Sequence, residues 1–165
     1  MVDTLFHGSG VLVLTPEIRV TGYTKDFGYG FYCTENYSQS ERWALRHNDP
    51  ENGEIPTVNM YQYTPNKKLK YKRFTKVTNE WLDFIAMCRN SKGKTPHDYD
   101  IVEGPMADDQ IWDHVEDFLE GRISRKQFMD FAKFKNPTHQ ISFHTQAALA
   151  CLEFERGILV YEKND

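Results

Sequence analysis

Asp26-Phe27-Gly28-Tyr29-Gly30-Phe31-Tyr32-Cys33-Thr34 sets two glycines among four aromatic rings. Glycine permits a tight turn and the close approach of another backbone, and aromatic rings offer flat faces to a planar ligand. The stretch reads in two ways. It is a β-hairpin whose aromatics fill the core, as aromatic strands commonly do, or it is the wall of a ligand cleft. Its company elsewhere in the chain has to separate the two.

Immediately after it, Thr34-Glu35-Asn36 opens a helix over about residues 37–46, with Thr34 as the expected N-cap. Trp43 and Ala44 would face the core, and Glu41, Arg42 and Arg46 the water. Before it, Thr4 to His7 is a short apolar strand that ends at Gly8-Ser9-Gly10, and Val11 to Leu14 can continue a strand only briefly before Thr15-Pro16-Glu17 interrupts it. Further on, Thr57 to Tyr63 alternates and is rich in β-formers, and Lys68 to Phe74 reads as another strand. Thr78-Asn79-Glu80 caps a helix over about 80–89, in which Trp81, Leu82, Phe84, Ile85 and Cys88 make a wide apolar face. Tyr99 to Glu103 is a strand stopped by Gly104-Pro105. Residues 107–121 and 124–134 are read as a helical pair. Gln140 to Phe143 is a strand, residues 145–151 a helix, and 152–154 and 158–161 two final strands separated at Arg156-Gly157. Strands and helices mix without regular βαβ alternation, so the expected fold is a single α+β domain.

The 165 residues suit one domain with a real core. Hydrophobic residues make up 39%, but aromatics at 14% bury large areas each. A formal net charge of −4 argues against a non-specific nucleic-acid binder, which needs clustered cations. The basic cluster Lys67, Lys68, Lys70, Lys72 and Arg73 reads as a solvated strand or loop. Cys33, Cys88 and Cys151 have neither disulfide nor zinc-knuckle spacing, which fits a reducing compartment. No basic region precedes an apolar run at the start, and no stretch nears the roughly 18 apolar residues of a membrane helix. A cytoplasmic protein without membrane contact is expected. The six histidines lack a ligand spacing, so no metal is expected.

Three local patterns carry chemistry. Phe6-His7-Gly8-Ser9 is a strand end that can present an imidazole and backbone N–H and C=O groups to a ligand amide, although a histidine so placed is often only structural. The glycine-aromatic stretch, followed by Tyr37-Ser38-Gln39-Ser40-Glu41-Arg42-Trp43-Ala44, is the second. Gln140-Ile141-Ser142-Phe143, backed by Leu149, Leu152 and Phe154, is the third.

In order and wording these segments resemble the three motifs of the ADP-ribosyltransferase superfamily, in the His-Tyr-Glu branch that includes diphtheria toxin and the poly(ADP-ribose) polymerases. They also resemble an uncharacterised bacterial family of that superfamily, whose members tend to be toxins beside small antitoxin genes. The resemblance covers the first 45 or so residues well and the last 30 or so loosely. It implies a domain of split antiparallel sheets with flanking helices, NAD as co-substrate, release of nicotinamide, and a protein or nucleic-acid acceptor. An antitoxin protein is implied as a further partner.

Carried over position by position, the resemblance gives His7 a hydrogen bond to the ribose of NAD, and gives the Gly8 backbone the nicotinamide carboxamide. Tyr32 stacks on the nicotinamide ring, with Phe31 or Tyr37 completing an aromatic clamp. Ser9 and Thr34 shape the pocket and its adenosine side, and Phe27, Gly28 and Gly30 form the turn beside the ligand. The branch's catalytic Glu falls on Gln140, which can orient a hydroxyl but is neither a negative charge nor a general base. Ile101 to Asp109 resembles the Gly-Pro-x-x-Asp-Asp segment of small rifamycin-modifying transferases, so Asp108 and Asp109 are candidates for the missing charge; on its own residues Asp108 reads first as a helix cap. Three readings stand: a transferase assisted by another carboxylate or by the acceptor, a catalytically weak module that holds NAD or ADP-ribose and works through a partner, and an unrelated α+β domain in which the glycine-aromatic stretch is core.

Overall fold

Residues 3–20, 25–107 and 111–161 are described by the computed structural model, and within them seven strands and five α-helices make one α+β domain. Strands β1 (Asp3–Ser9), β3 (Thr57–Tyr63) and β7 (Leu152–Leu159) form a three-stranded antiparallel sheet in the order β1-β3-β7. Strands β2 (Phe31–Cys33), β6 (His139–Phe143), β5 (Ile101–Pro105) and β4 (Tyr71–Arg73) form a second sheet in the order β2-β6-β5-β4, antiparallel except for the parallel pair of β4 and β5.

The helices are α1 (Tyr37–Leu45), α2 (Asn79–Arg89), α3 (Trp112–Leu119), α4 (Arg125–Ala132) and α5 (Gln146–Leu149). Four of them begin at a side-chain cap that the sequence supplies: Asn36 accepts from the Gln39 N–H, Thr78 from the Trp81 N–H, Thr145 from the Ala148 N–H, and Ser124 and Gln127 make a reciprocal capping box.

The alternation of strand side chains divides the core. On one face of the second sheet Tyr32 and Val102 pack with Phe27, Phe74 and the apolar face of α2, and α3 and α4 close that layer through Val115 and Phe128. On its other face Phe31, Cys33, Ile101, Ile141 and Phe143 meet Leu5, Tyr61 and Tyr63 of the first sheet. Among the described residues one β-bridge joins the sheets, Phe6 with Thr34, in which each N–H donates to the other's carbonyl, at 2.8 and 2.9 Å. Beyond that bridge β1 and β2 part.

Several local expectations are corrected. Thr34 does not cap α1. Asn36 does, accepting from the Gln39 N–H, because Thr34 is held in the bridge while its hydroxyl donates to the His139 carbonyl and accepts from the Asn36 N–H. Residues 11–14 are not a strand, since side chains of β3 replace the ladder. Asn59 takes the Val13 N–H and donates to the Val11 carbonyl, and the Tyr61 hydroxyl donates to the Val13 carbonyl. The strand expected from Lys68 starts only at Tyr71, because Asn66 holds residues 66–69 in a turn through its carbonyl and side chain. The two final strands are one continuous β7, with an extra residue at Glu155 where the register shifts from Met60–Arg156 to Tyr61–Phe154.

Candidate functional site: a cleft where the two sheets part

The geometry of the parting follows from antiparallel register. With Phe6 bridged to Thr34, the next hydrogen-bonded pair would be Gly8 with Tyr32. Instead the His7 Nδ1 lies 2.6 Å from the Tyr32 carbonyl oxygen. A carbonyl only accepts, so Nδ1 carries the proton and Nε2 keeps its lone pair. The imidazole thus stands in for the Gly8 N–H, and the alternation of β1 turns the Gly8 N–H and C=O to the same outer edge as those of Phe6, toward the opening.

This opening is a cleft with two adjoining lobes, about 220 and 290 Å³, that share His7, Gly8, Lys25, Tyr32 and His47. Ser9, Gly30, Phe31 and Arg19 line the first lobe. Asp26, Trp43, Arg46, Arg89, Met106 and Gln140 line the second. His7 sits deep enough that burial depresses its imidazole pKa to about 4, against the smaller opposing effect of the Tyr32 carbonyl. It is therefore neutral at pH 7, an acceptor at Nε2. Its ring is stacked on Phe31, centroids 4.2 Å apart.

Tyr32 is locked. Its hydroxyl donates to the Gly28 carbonyl at 2.6 Å and accepts from the Phe27 N–H at 3.0 Å, closing the glycine turn on itself. Burial pushes the phenol well above its usual range, so it stays a neutral donor. Above its ring lies the Lys25 ammonium, 5.0 Å from the centroid, a cation–π contact that marks this face as one suited to a positive group.

At the floor of the second lobe is a carboxylate that the motif reading gave no role. Asp26, 5% exposed, pairs with the Arg89 guanidinium and accepts from the Ala107 N–H at 2.8 Å and from the Gln140 amide nitrogen at 3.1 Å. Arg89 lies in turn over the Trp112 ring, 4.2 Å from its centroid. The signal in the sequence was the acidic residue directly before Phe27-Gly28, but its partners come from α2, from the end of β5 and from β6, none of them near it in the chain.

The structure therefore brings His7, Gly8, Ser9, Gly30, Phe31, Tyr32 and Gln140 to one cleft. It places other candidates elsewhere. Phe27 is fully buried in the core against Phe74 and Phe84. Gly28 forms the turn behind Tyr32 at φ +90°, against Thr95. Tyr37 packs edge-on against Phe6 in a separate small cluster, so Phe31 and not Tyr37 stands beside His7. Thr34 faces a different depression, with Asn136 and His139. Asp108 and Asp109 lie outside the described residues. Lys25, Asp26, Arg46, His47 and Arg89 line the cleft and were not singled out beforehand as site residues.

The fold and the cleft define a class: an α+β domain in which two sheets share one bridge and open a polar, aromatic-walled cleft beyond it. The chain belongs to a family of proteins of unknown function, DUF3990, whose pattern matches residues 3–154. No curated protein and no solved structure matches the chain.

Proposed function

We propose that the domain is an NAD-dependent ADP-ribosyltransferase that passes ADP-ribose to a macromolecular acceptor, a protein or a nucleic acid, and releases nicotinamide. The observation that carries the proposal is that His7, Tyr32 and Gln140, from three separated segments resembling the superfamily's three motifs, line one lobe of the cleft. The residues suit the ligand. The nicotinamide ring of NAD is a flat cation, and the Tyr32 face already accommodates an ammonium. The Gly8 N–H and C=O offer a carboxamide both partners it needs. The neutral His7 Nε2 accepts a ribose hydroxyl. Although the chain is acidic overall, Arg19, Lys25 and Arg46 gather cationic charge around the cleft, as a diphosphate requires.

In the reaction the bond between nicotinamide and ribose breaks, its electron pair leaving on the nicotinamide nitrogen, which becomes neutral. Positive charge develops on the ribose until the acceptor's nucleophile bonds to it and gives up its proton. The protein's part is to hold the ring on Tyr32, fix the ribose through His7 and Gln140, and exclude water. A toxin role beside an antitoxin partner belongs to the same reading and would appear as growth arrest that a neighbouring gene relieves.

A second reading is favoured by Gln140 itself: an uncharged amide where the branch has a carboxylate suits a module that binds NAD or ADP-ribose and works through a partner protein. One pair of measurements separates the readings. Melting is followed with and without millimolar NAD, and the protein is then incubated with labelled NAD and cell extract. A rise in Tm with label transfer supports the transferase, a rise without label supports the module, and neither overturns both.

A further inference from the structure

We propose that Asp26 is the positioning residue of the cleft, a buried carboxylate that fixes the Gln140 amide and, together with it, does the work of the absent glutamate. The inference rests on the NAD-transfer reading and deepens it. A carboxylate accepts and never donates, so the 3.1 Å contact from Gln140 to Asp26 has to come from the amide nitrogen. The Gln140 amide oxygen is thereby turned away from Asp26, and no described residue donates to it. It is the acceptor left for a ribose hydroxyl. A lone glutamine could flip and offer its NH₂ instead. Asp26 removes that choice.

Burying a carboxylate is costly unless it is paired and hydrogen-bonded. Here Arg89 at the end of α2, the Ala107 N–H after β5 and Gln140 on β6 all converge on this one side chain, which sits on the loop that opens the glycine turn. His7, Lys25, Tyr32, Arg46, His47 and Arg89 are the other titratable or charged groups lining the same lobe. The Asp26 carboxylate, paired with Arg89, is thus held one hydrogen bond behind the acceptor, and any positive charge on a ribose bound to Gln140 would polarise the amide along that bond. Charge of this kind, fixed before the reaction, is effective because nothing must reorganise when the transition state forms.

The test uses the full chain and three variants, Asp26→Asn, Gln140→Glu and the double variant, with nicotinamide release from NAD measured against NAD concentration and pH. Asp26→Asn is expected to lower kcat by about 10-fold or more while KM for NAD stays within about 2-fold, since the lost contribution belongs to the transition state. Gln140→Glu sets a second carboxylate beside the first, and the like charges favour retention of a proton on the introduced carboxyl. Its rate profile is expected to gain an inflection above the usual carboxylate range, and the double variant is expected to lose that inflection and recover activity toward wild type. If Asp26→Asn fails to fold, the Gln140→Glu profile decides alone. An unchanged kcat in Asp26→Asn, or a Gln140→Glu profile without the inflection, overturns the role of Asp26 while leaving the transferase reading in place. A wild-type chain that binds NAD but releases no nicotinamide overturns the role and leaves the binding module. One that does not bind NAD overturns both.

Discussion

His7 and Tyr32 hold each other: the imidazole donates to the Tyr32 carbonyl, and the Tyr32 hydroxyl ties back to the glycine turn. The hydroxyl and the ring therefore have separable duties. Tyr32→Phe leaves the Phe27 N–H and the Gly28 carbonyl without their buried partner, and is expected to cost about 1–3 kcal/mol of stability. The ring face survives, so the rise in Tm with NAD that follows from the transferase reading is expected in this variant too; a variant as stable as wild type in urea denaturation would show that the turn does not depend on the hydroxyl. That both line one cleft was legible because their motifs are local: a strand end with small residues, and glycines spaced among aromatics. Asp26 stood in the same stretch and was not legible as a cleft residue. Its meaning lies in Arg89, Ala107 and Gln140, between 63 and 114 positions away, and nothing in local spacing encodes those contacts.

At the scale of elements, α1 lies directly on β1, and Gly8 is where the two touch. A Cβ built on Gly8 would come 2.1 Å from the Ser40 carbonyl oxygen and 2.7 Å from the Ala44 nitrogen, both backbone atoms of the helix that cannot swing aside. Gly8→Ala is expected to destabilise by about 2–4 kcal/mol and, under the proposed transferase function, to weaken NAD binding by moving the edge of β1. Equal melting of the two proteins would mean that α1 can slide on the sheet. At the start of the same helix, Asn36→Ala removes the side-chain cap and is expected to lose about 1 kcal/mol in chemical denaturation. Local chemistry alone allows this cap at Thr34, a capping residue by type though a weaker one than Asn36. What displaced it is the bridge between sheets, a long-range pairing invisible to local chemistry. The same cause explains β7, where Arg156-Gly157 resembles a break until pairing with β3 absorbs the extra residue as a bulge. Long periodic elements such as α2 and β3 were legible to within a residue or so because their own side chains dictate them.

Across the whole molecule, the halves of the glycine-aromatic loop are pinned by half-buried neutral histidines, and this makes stability depend on pH. His144 donates from Nδ1 to the Tyr29 carbonyl at 2.7 Å, and its Nε2 lies 2.7 Å from the Ser142 hydroxyl. Burial depresses its pKa to about 4, as it does for His7 in the cleft, and lowers that of His97, whose ring packs edge-on against His144. Unfolded, each imidazole titrates at 6.5. Above that value the rings are neutral in both states and their contribution is fully present. As pH falls from about 6.5 to 4 the unfolded chain takes up protons that the folded one refuses, and stability is lost. Below about 4 the folded rings are protonated too, and this loss levels off. The depressions of His7 and His144 set an upper bound of about 3 kcal/mol each, less in practice because both rings keep some contact with water. Urea midpoints measured from pH 8 to pH 4 are expected to stay level down to about 7 and then fall steadily. Replacing His144 with Gln, which stays neutral throughout, is expected to flatten the slope while lowering the plateau. A wild-type profile that is level from pH 7 to pH 5 would mean that these rings accept protons within the fold, and the loop would then be held by something other than neutral imidazoles.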